Sequence, residues 1–177
     1  MIVKPCVLAG RCPGDLGETD AMWFGRIERA SKASAVIKLF GALESAMAYV
    51  NLTAIKATDK RARILRLIQW ILQYTGFYLS TGDARYLDVA FSLLRKAAKL
   101  TYAISSDAPP GWVICEDEEC ALINTARTWV RWAERRLAQT EEGKEAIVLL
   151  NHISSILFEL MRTRPHLIIN GTVSRYR

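Results

Sequence analysis

The chain has 177 residues, and its 24 Lys and Arg against 18 Asp and Glu give a formal net charge of +6 at pH 7. Hydrophobic residues make up 51% and charged residues 24%, a composition that excludes an intrinsically disordered chain. The length suits one domain, residues 1–177, with a hydrophobic core of its own. No stretch reaches the roughly 18 uninterrupted apolar residues of a membrane-spanning helix, so we expect no membrane partner.

The cysteines and histidines give little support to a metal site. Five residues separate Cys6 from Cys12 and four separate Cys115 from Cys120, so the chain has no CxxC pair, and it has only two histidines. The apolar run at the N-terminus is too short for a signal peptide. We therefore expect a cytoplasmic protein with reduced thiols and no resident metal.

Residues 1–30 are predicted to be mostly loop, because glycine and proline recur throughout them. From residue 31 onward, apolar residues recur at helical spacing and predict five helices, at about 31–52, 58–81, 83–100, 116–137 and 140–161. No run shows the alternation of a β-strand. The chain therefore reads as an all-α, five-helix bundle over residues 31–165 with an N-terminal glycine-containing loop.

Local signals mark the ends of these helices. Ser31 or Ser34 is predicted to cap the first helix, and the Thr81-Gly82 turn to end the second. Residues 105–111 contain Pro109-Pro110-Gly111 and are predicted to form a loop. Arg164-Pro165 should end the last helix, which leaves residues 166–177 as an extended or disordered tail.

The fourth predicted helix carries a stripe of charge. Four residues recur there at i, i+4, i+7 and i+8, namely Arg127, Arg131, Glu134 and Arg135. One interpretation is a solvated face with ordinary salt bridges. The other is an anion site, because guanidinium groups bind phosphate oxygens in pairs and a carboxylate among them fixes their geometry.

The N-terminal segment offers a second candidate. Gly14, Asp15, Gly17 and Thr19 form a short glycine-containing string, and Lys32 follows it. Glycine lets backbone amides approach a phosphate closely, and aspartate can hold magnesium. The string is not a Walker motif, and a plain turn is the alternative.

A third candidate is Asn151, an amide within the apolar last helix. Asparagine has a low helix propensity, and a buried amide needs hydrogen-bond partners. A hydrogen bond between helices would satisfy it equally well.

In this order and spacing, these segments resemble the PduO-type ATP:cob(I)alamin adenosyltransferases over nearly the whole chain. The helix motif, which reads ARTxxRRAERR in the family, is the specific part, and it matches Ala126–Arg136. The remaining matches are Gly14–Thr19, Gly25-Arg26 with Lys32, Gly41–Glu44, Ile68-Gln69, Gly76, Leu79, Trp112–Ile114, Leu150-Asn151, Ser154 and Leu157-Phe158.

The resemblance implies a homotrimer that binds ATP, with magnesium, between neighbouring subunits and a corrinoid beside it. Reduced cobalt would attack the 5′ carbon of ATP and release triphosphate. It implies catalytic roles for Arg127, Arg131 and Glu134. It implies that the nucleotide is bound by Gly14, Asp15, Gly17, Thr19, Lys32, Arg135 and Asn151.

Two further roles come from the resemblance alone. Glu44 would form a salt bridge with Arg127 across the subunit interface, and Trp112 would crowd the lower face of the corrin ring. Several motif positions differ from the family pattern: Pro13, Glu18, Ser45, Met47, Cys115–Asp117, Trp132, His152 and Ser155.

Two alternatives stay open. Because these replacements remove charged groups and hydrogen-bond partners, the same bundle could bind a nucleotide or a corrinoid without catalysis. The excess basic charge also suits a nucleic-acid or helix-binding protein, but the chain has no recognised nucleic-acid motif, so nucleic acid is an unlikely partner.

Overall fold

The computed structural model describes residues 5–105 and 111–169. In chain order the elements are α1 (Pro5–Leu8), a 3-10 turn (Pro13–Leu16), β1 (Glu18–Trp23), β2 (Arg26–Ser31), α2 (Ala35–Lys56), α3 (Asp59–Thr81), α4 (Ala84–Tyr102), β3 (Trp112–Cys115), α5 (Glu118–Leu137), α6 (Glu145–Arg162) and β4 (His166–Ile169). The predicted loop at 105–111 lies mostly outside the described residues, as does the tail from residue 170.

The structure confirms the local signals for the helix ends. The Ser34 hydroxyl accepts a hydrogen bond from the Ile37 amide and caps α2. Gly82, with φ of 74°, ends α3 in the left-handed conformation, and Asp83 caps α4 at once. These caps let three long helices follow one another through short connections.

The core lies between the five helices α2 to α6. Helix α2 packs chiefly on α5, α3 on α4, and α5 on α6. Fully buried side chains from these helices include Leu39, Ile68, Leu72 and Leu150. By length and composition alone α2 could cross a membrane; 28% of its apolar window is buried, and the helix packs chiefly on α5.

The expectation of loop throughout residues 1–30 is wrong, because β1 and β2 form an antiparallel hairpin. The register runs from Glu18 opposite Ser31 to Trp23 opposite Arg26. The two-residue turn has positive φ at both positions, which suits the twist of a hairpin. Most of its side chains are exposed, so the sequence lacks the apolar alternation by which a strand is detected.

The hairpin is fixed to the bundle through its turn. The Phe24 amide donates to the Leu79 carbonyl at 3.0 Å, and the Gly25 amide donates to the Ser80 carbonyl at 2.8 Å. The Phe24 ring packs edge-on against Tyr78, with centroids 5.4 Å apart. The segment before α2 therefore has a defined position on the end of α3.

The C-terminal segment is extended over its described residues, as one of the two expectations had it, and it is also paired. His166–Ile169 form β4, which pairs antiparallel with β3 in the register Cys115 opposite His166. Each strand has four residues, and the pairing partner lies about 50 positions away along the chain, beyond the reach of local patterns. The described part of the chain is thus mainly helical with two small sheets.

The cysteines are also paired, contrary to the expectation of free thiols. Disulfides join Cys6 to Cys12 and Cys115 to Cys120, with Cα–Cα distances of 4.9 and 5.3 Å. The two cysteines of each disulfide lie close together along the chain, within the reach of an S–S bond. The expectation of free thiols was based on the absence of a signal peptide, not on these distances. The second disulfide joins the end of β3 to the first turn of α5.

Candidate functional site

An open cavity of about 1180 Å³ lies where α4, α5 and α6 meet. Helix α5 contributes Arg127 and Arg131, and α6 contributes Ser154 and Phe158 among others. The two arginines reach it together because positions four apart share one face of a helix. We call this space the arginine cavity.

Arg127 is half-buried and has polar and aromatic neighbours. Its Nε donates to Asn124 Oδ1 at 3.1 Å, and its guanidinium carbon lies 5.7 Å from the centre of the Phe158 ring. Burial lowers the pKa of Arg127, and the positive charge of Arg131 lowers it further. Because a guanidinium stays protonated, an anion in the cavity would relieve this repulsion.

Neither of these arginines has a carboxylate within 4.0 Å in the described part of the chain. At the opposite end of α5, by contrast, Arg61 pairs with Glu119 at 2.9 Å. The ordinary salt bridges considered for the stripe are therefore not formed, even by Glu134. Arg127 and Arg131 thus form no ion pair among the described residues, while Glu159, whose carboxylate pairs with Arg162, lines the same cavity.

Glu134 and Arg135 do not line the arginine cavity within the described residues. Glu134 is half-buried. The Arg135 guanidinium lies 5.3 Å from the centre of the Trp132 ring, and Arg136 lies 4.4 Å from the same ring. Of the four residues on the predicted stripe, the structure brings Arg127 and Arg131 together in the cavity, whereas Arg135 stacks on a neighbouring tryptophan.

A second cavity, of about 760 Å³, surrounds the glycine-containing loop and includes Gly14, Asp15, Thr19 and Lys32 in its lining. The Asp15 carboxylate accepts from the Cys12 amide at 2.7 Å and holds the 3-10 turn. Lys32 Nζ donates to the Gly14 carbonyl at 2.7 Å. We call this space the loop cavity.

Arg29 connects the 3-10 turn to the β1–β2 hairpin through hydrogen bonds, which the sequence does not predict. It donates to the Pro13 carbonyl at 2.7 Å, to Asp20 at 3.2 Å and to Glu18 at 3.3 Å. The hydrogen bond to Asp20 is the main cause of the raised pKa of Arg29. Asp20 and Arg29 lie opposite each other in the register, so only knowledge of the hairpin could have revealed the contact.

Asn151 is exposed, so the expectation of a buried amide with helix partners is wrong. The buried face of α6 contains Leu150, Ile153 and Ser154, and Asn151 points away from it. Its backbone carbonyl accepts from the hydroxyl of Ser154 at 2.8 Å and from that of Ser155 at 3.2 Å. Asn151 thus lies one turn from two residues of the arginine cavity.

The remaining candidates lie on the surface. Glu44 is exposed on α2. Trp112 is 80% exposed at the start of β3, which leaves a large indole free to contact a ligand. Gly17, with φ of 80°, ends the 3-10 turn in the left-handed conformation.

The described residues contain no group of three or more His, Cys, Asp or Glu side chains that could hold a metal. Around the loop cavity, Asp15 is a cap and both Glu18 and Asp20 pair with Arg29.

The comparisons with known proteins agree on the family and the fold. The sequence profile of the family described as cobalamin adenosyltransferase matches residues 11–164. A comparison with curated protein sequences finds no significant match.

Similar solved structures are variants of a PduO-type ATP:corrinoid adenosyltransferase from Lactobacillus reuteri. A Phe-to-His variant with cobalamin and ATP aligns with a TM-score of 0.71 and 17% identity, over 90% of this chain and 95% of that chain. A Phe-to-Ala variant with the same ligands gives 0.71 and 17%, over 90% and 97%. An Arg-to-Lys variant with ATP gives 0.65 and 18%, over 89% and 98%.

At this level of identity the structures show a shared fold, which the mainly helical architecture bears out. The profile match covers 154 of the 177 residues (164 − 11 + 1). The chain therefore belongs to the cobalamin adenosyltransferase family, a family of transferases.

Proposed function

We propose that the chain is an ATP:corrinoid adenosyltransferase, which transfers the 5′-deoxyadenosyl group of ATP to a reduced corrinoid. The observation that carries the proposal is the pair Arg127 and Arg131, which line a large cavity on α5 without a carboxylate partner in the described residues. Uncompensated guanidinium groups in a partly desolvated cavity are suited to a polyphosphate. The family supplies the nucleotide and the corrinoid as the two substrates.

In this reaction a bond forms between cobalt of the corrinoid substrate and the 5′ carbon of ATP, while the bond from that carbon to the triphosphate oxygen breaks. The leaving triphosphate takes the electron pair and gains negative charge. Arg127 and Arg131 stabilise that charge as it develops. The chain otherwise acts by holding the two substrates in line for attack.

Gly14, Asp15, Gly17, Thr19 and Lys32 form the other half of the nucleotide site. Lys32 is poised at the loop, where its ammonium already reaches the Gly14 carbonyl, and it turns to the triphosphate when ATP binds. Magnesium accompanies ATP and lessens its repulsion from Glu18.

The two halves of the site come from neighbouring copies in a homotrimer. In support of this, the arginine cavity and the loop cavity of one chain share no lining residue among those described. Glu44 is exposed on α2 and is available to the partner's Arg127. The N-terminal segment 1–30, the five-helix bundle 31–165 and the C-terminal segment 166–177 act together as one domain.

The other predicted residues complete the site in supporting roles. Trp112 contacts the corrin ring, since its indole is exposed at the start of β3. Glu134 orients the arginines or the ribose, while Arg135 and Asn151 contact the nucleotide from the adjoining surfaces of α5 and α6. The protein acts in the cytoplasm and has no nucleic-acid or membrane partner.

The test is an anaerobic assay with ATP, magnesium and reduced cobalamin that follows the absorbance change of cobalt–carbon bond formation. The parent should turn over, and Arg127→Ala should lower kcat/KM about 100-fold or more, because one charge-stabilising group is removed. Arg66→Ala, an exposed arginine on α3 outside both cavities, serves as the matched control.

Calorimetry with ATP separates catalysis from binding alone. Saturable binding of ATP without turnover would replace the proposal by a binding protein on the same bundle. A parent that neither turns over nor binds ATP would overturn it altogether.

A further inference from the structure

Two guanidinium groups of the arginine cavity contact the ring of Phe158. The guanidinium carbon of Arg127 lies 5.7 Å from the ring centre and that of Arg162 lies 5.8 Å from it. Both distances fall within the ~6 Å range of a cation–π interaction. Phe158, Arg127 and Arg162 all line the same cavity.

The ring itself is held in place. Phe158 lies on the inner part of α6, half-buried, and packs against the hydrophobic core. An arginine side chain has many rotamers, and the hydrogen bond from Arg127 Nε to Asn124 Oδ1 restrains one edge of the planar guanidinium. The ring gives the guanidinium a second point of contact.

The two arginines differ in charge compensation. Arg162 donates to Glu159 Oε1 at 3.0 Å, so a carboxylate offsets its charge. Arg127 has no carboxylate at ion-pair distance among residues 5–105 and 111–169. A carboxylate would hold Arg127 but would cancel its charge, whereas an aromatic ring holds a cation and leaves its charge available to a phosphate.

We propose that Phe158 is a positioning residue that holds Arg127 toward the arginine cavity with its positive charge uncompensated. This inference rests on the proposed function, because the group that Arg127 meets there is the triphosphate of ATP. Holding the guanidinium before binding removes part of the entropy cost of ordering it. Phe158 acts on triphosphate binding through Arg127.

The test compares Phe158→Leu, which keeps an apolar side chain but removes the ring, with Phe158→Tyr, which keeps the ring. Calorimetry with inorganic triphosphate and magnesium should show a Kd raised roughly fivefold by Phe158→Leu and restored to within about twofold by Phe158→Tyr. The KM for ATP should follow the Kd, while the KM for the corrinoid should not change.

A double-mutant comparison separates positioning from a general loss of structure. In an Arg127→Ala background, Phe158→Leu should produce no further rise in the Kd for triphosphate, since the group that it positions is gone. Phe91→Leu removes another half-buried phenyl ring that packs on the core, from α4, and should leave the Kd unchanged.

The failures of the two proposals are distinguishable. If the parent binds triphosphate and Phe158→Leu binds it equally well, or Phe158→Leu weakens binding as much without Arg127 as with it, the positioning role is overturned and the proposed function stands. If the parent turns over ATP and corrinoid but does not bind inorganic triphosphate, the positioning role is overturned and the proposed function stands; if it neither turns over nor binds ATP, both proposals fall.

Discussion

Gly143, in the turn between α5 and α6, fixes how the two helices of the arginine cavity meet. Its φ is +80°, and a Cβ there would lie 2.6 Å from Leu79 Cδ2 and 3.3 Å from Leu137 Cδ1. A side chain at this position therefore has both an unfavourable backbone conformation and a collision with two fully buried leucines. The position requires glycine for two separate reasons.

We expect Gly143→Ala to lower the free energy of unfolding by about 3 kcal/mol, measured by urea denaturation, as the sum of left-handed strain and overpacking. Gly10→Ala is the matched control, because Gly10 also has positive φ (+69°) but no atom within 4 Å of the added Cβ. It should cost only about 1 kcal/mol. Equal losses in the two variants would contradict the collision with the core.

The position of a side chain could be predicted where it depends on local spacing and could not where it depends on the tertiary fold. The spacing of Arg127 and Arg131 sufficed to place them on one face, and they do share a cavity. Asn151 was expected to be buried. Because apolar residues lie on most sides of α6, the sequence does not indicate which side of the helix faces the core. The hydrogen bond from Arg29 to the Pro13 carbonyl depends on the tertiary fold, so no local sequence pattern predicts it.

At the scale of elements, Asp117 connects α5 to the segment after α6. Its carboxylate caps α5 by accepting from the Cys120 amide at 2.7 Å and also accepts from Arg164 Nε at 2.9 Å. Burial alone would raise the pKa of Asp117, but the hydrogen bonds from Cys120 and Arg164 outweigh it and lower the pKa. The charged form is therefore favoured in the folded state.

We expect Asp117→Ala to lower the free energy of unfolding by about 2 kcal/mol at pH 7, because it removes the N-terminal cap of α5 and the hydrogen bond from Arg164. Asp117→Asn keeps the cap and should cost less. The pKa of Asp117 is lower in the folded state than in the unfolded state. The extra unfolding free energy of the parent over Asp117→Ala is therefore fully present above the ordinary pKa of aspartate and is lost as the pH falls through the pKa of the folded state.

Urea denaturation of parent and variants from pH 7 down to pH 2.5 measures this convergence. Asp88→Ala, an exposed position within α4, is the control for removal of a carboxylate. A difference between parent and Asp117→Ala that stayed constant over this range would show that the carboxylate charge contributes nothing.

The five long helices could be predicted because their signals are local: a 3.6-residue apolar period, a cap at the start, and glycine or proline at the end. The strands could not. In the hairpin only Ala21 is buried, so neither strand alternates clearly. The pairing of β3 with β4, like the two disulfides, depends on distances that sequence alone does not contain.

For the whole molecule, the two proposed halves of the nucleotide site lie in separate cavities of one chain. A second copy that brought its loop cavity over the arginine cavity of the first would place Lys32 beside two uncompensated arginines. The repulsion among these cations would disfavour such an interface without a ligand, and a triphosphate would relieve it. Assembly and nucleotide binding should therefore support each other.

Mixed assemblies test whether the halves of the site come from different copies. We expect Lys32→Ala and Arg127→Ala each to be nearly inactive alone, because each lacks one half. When the two are co-expressed with different tags and purified through both, every trimer is mixed, and one of its three interfaces, about one third, should join an intact loop to intact arginines. Adenosyl transfer should return to a comparable fraction of the parent rate, whereas doubly tagged Arg127→Ala alone should stay inactive. Mixed assemblies no more active than that control would place both halves of the site in a single chain.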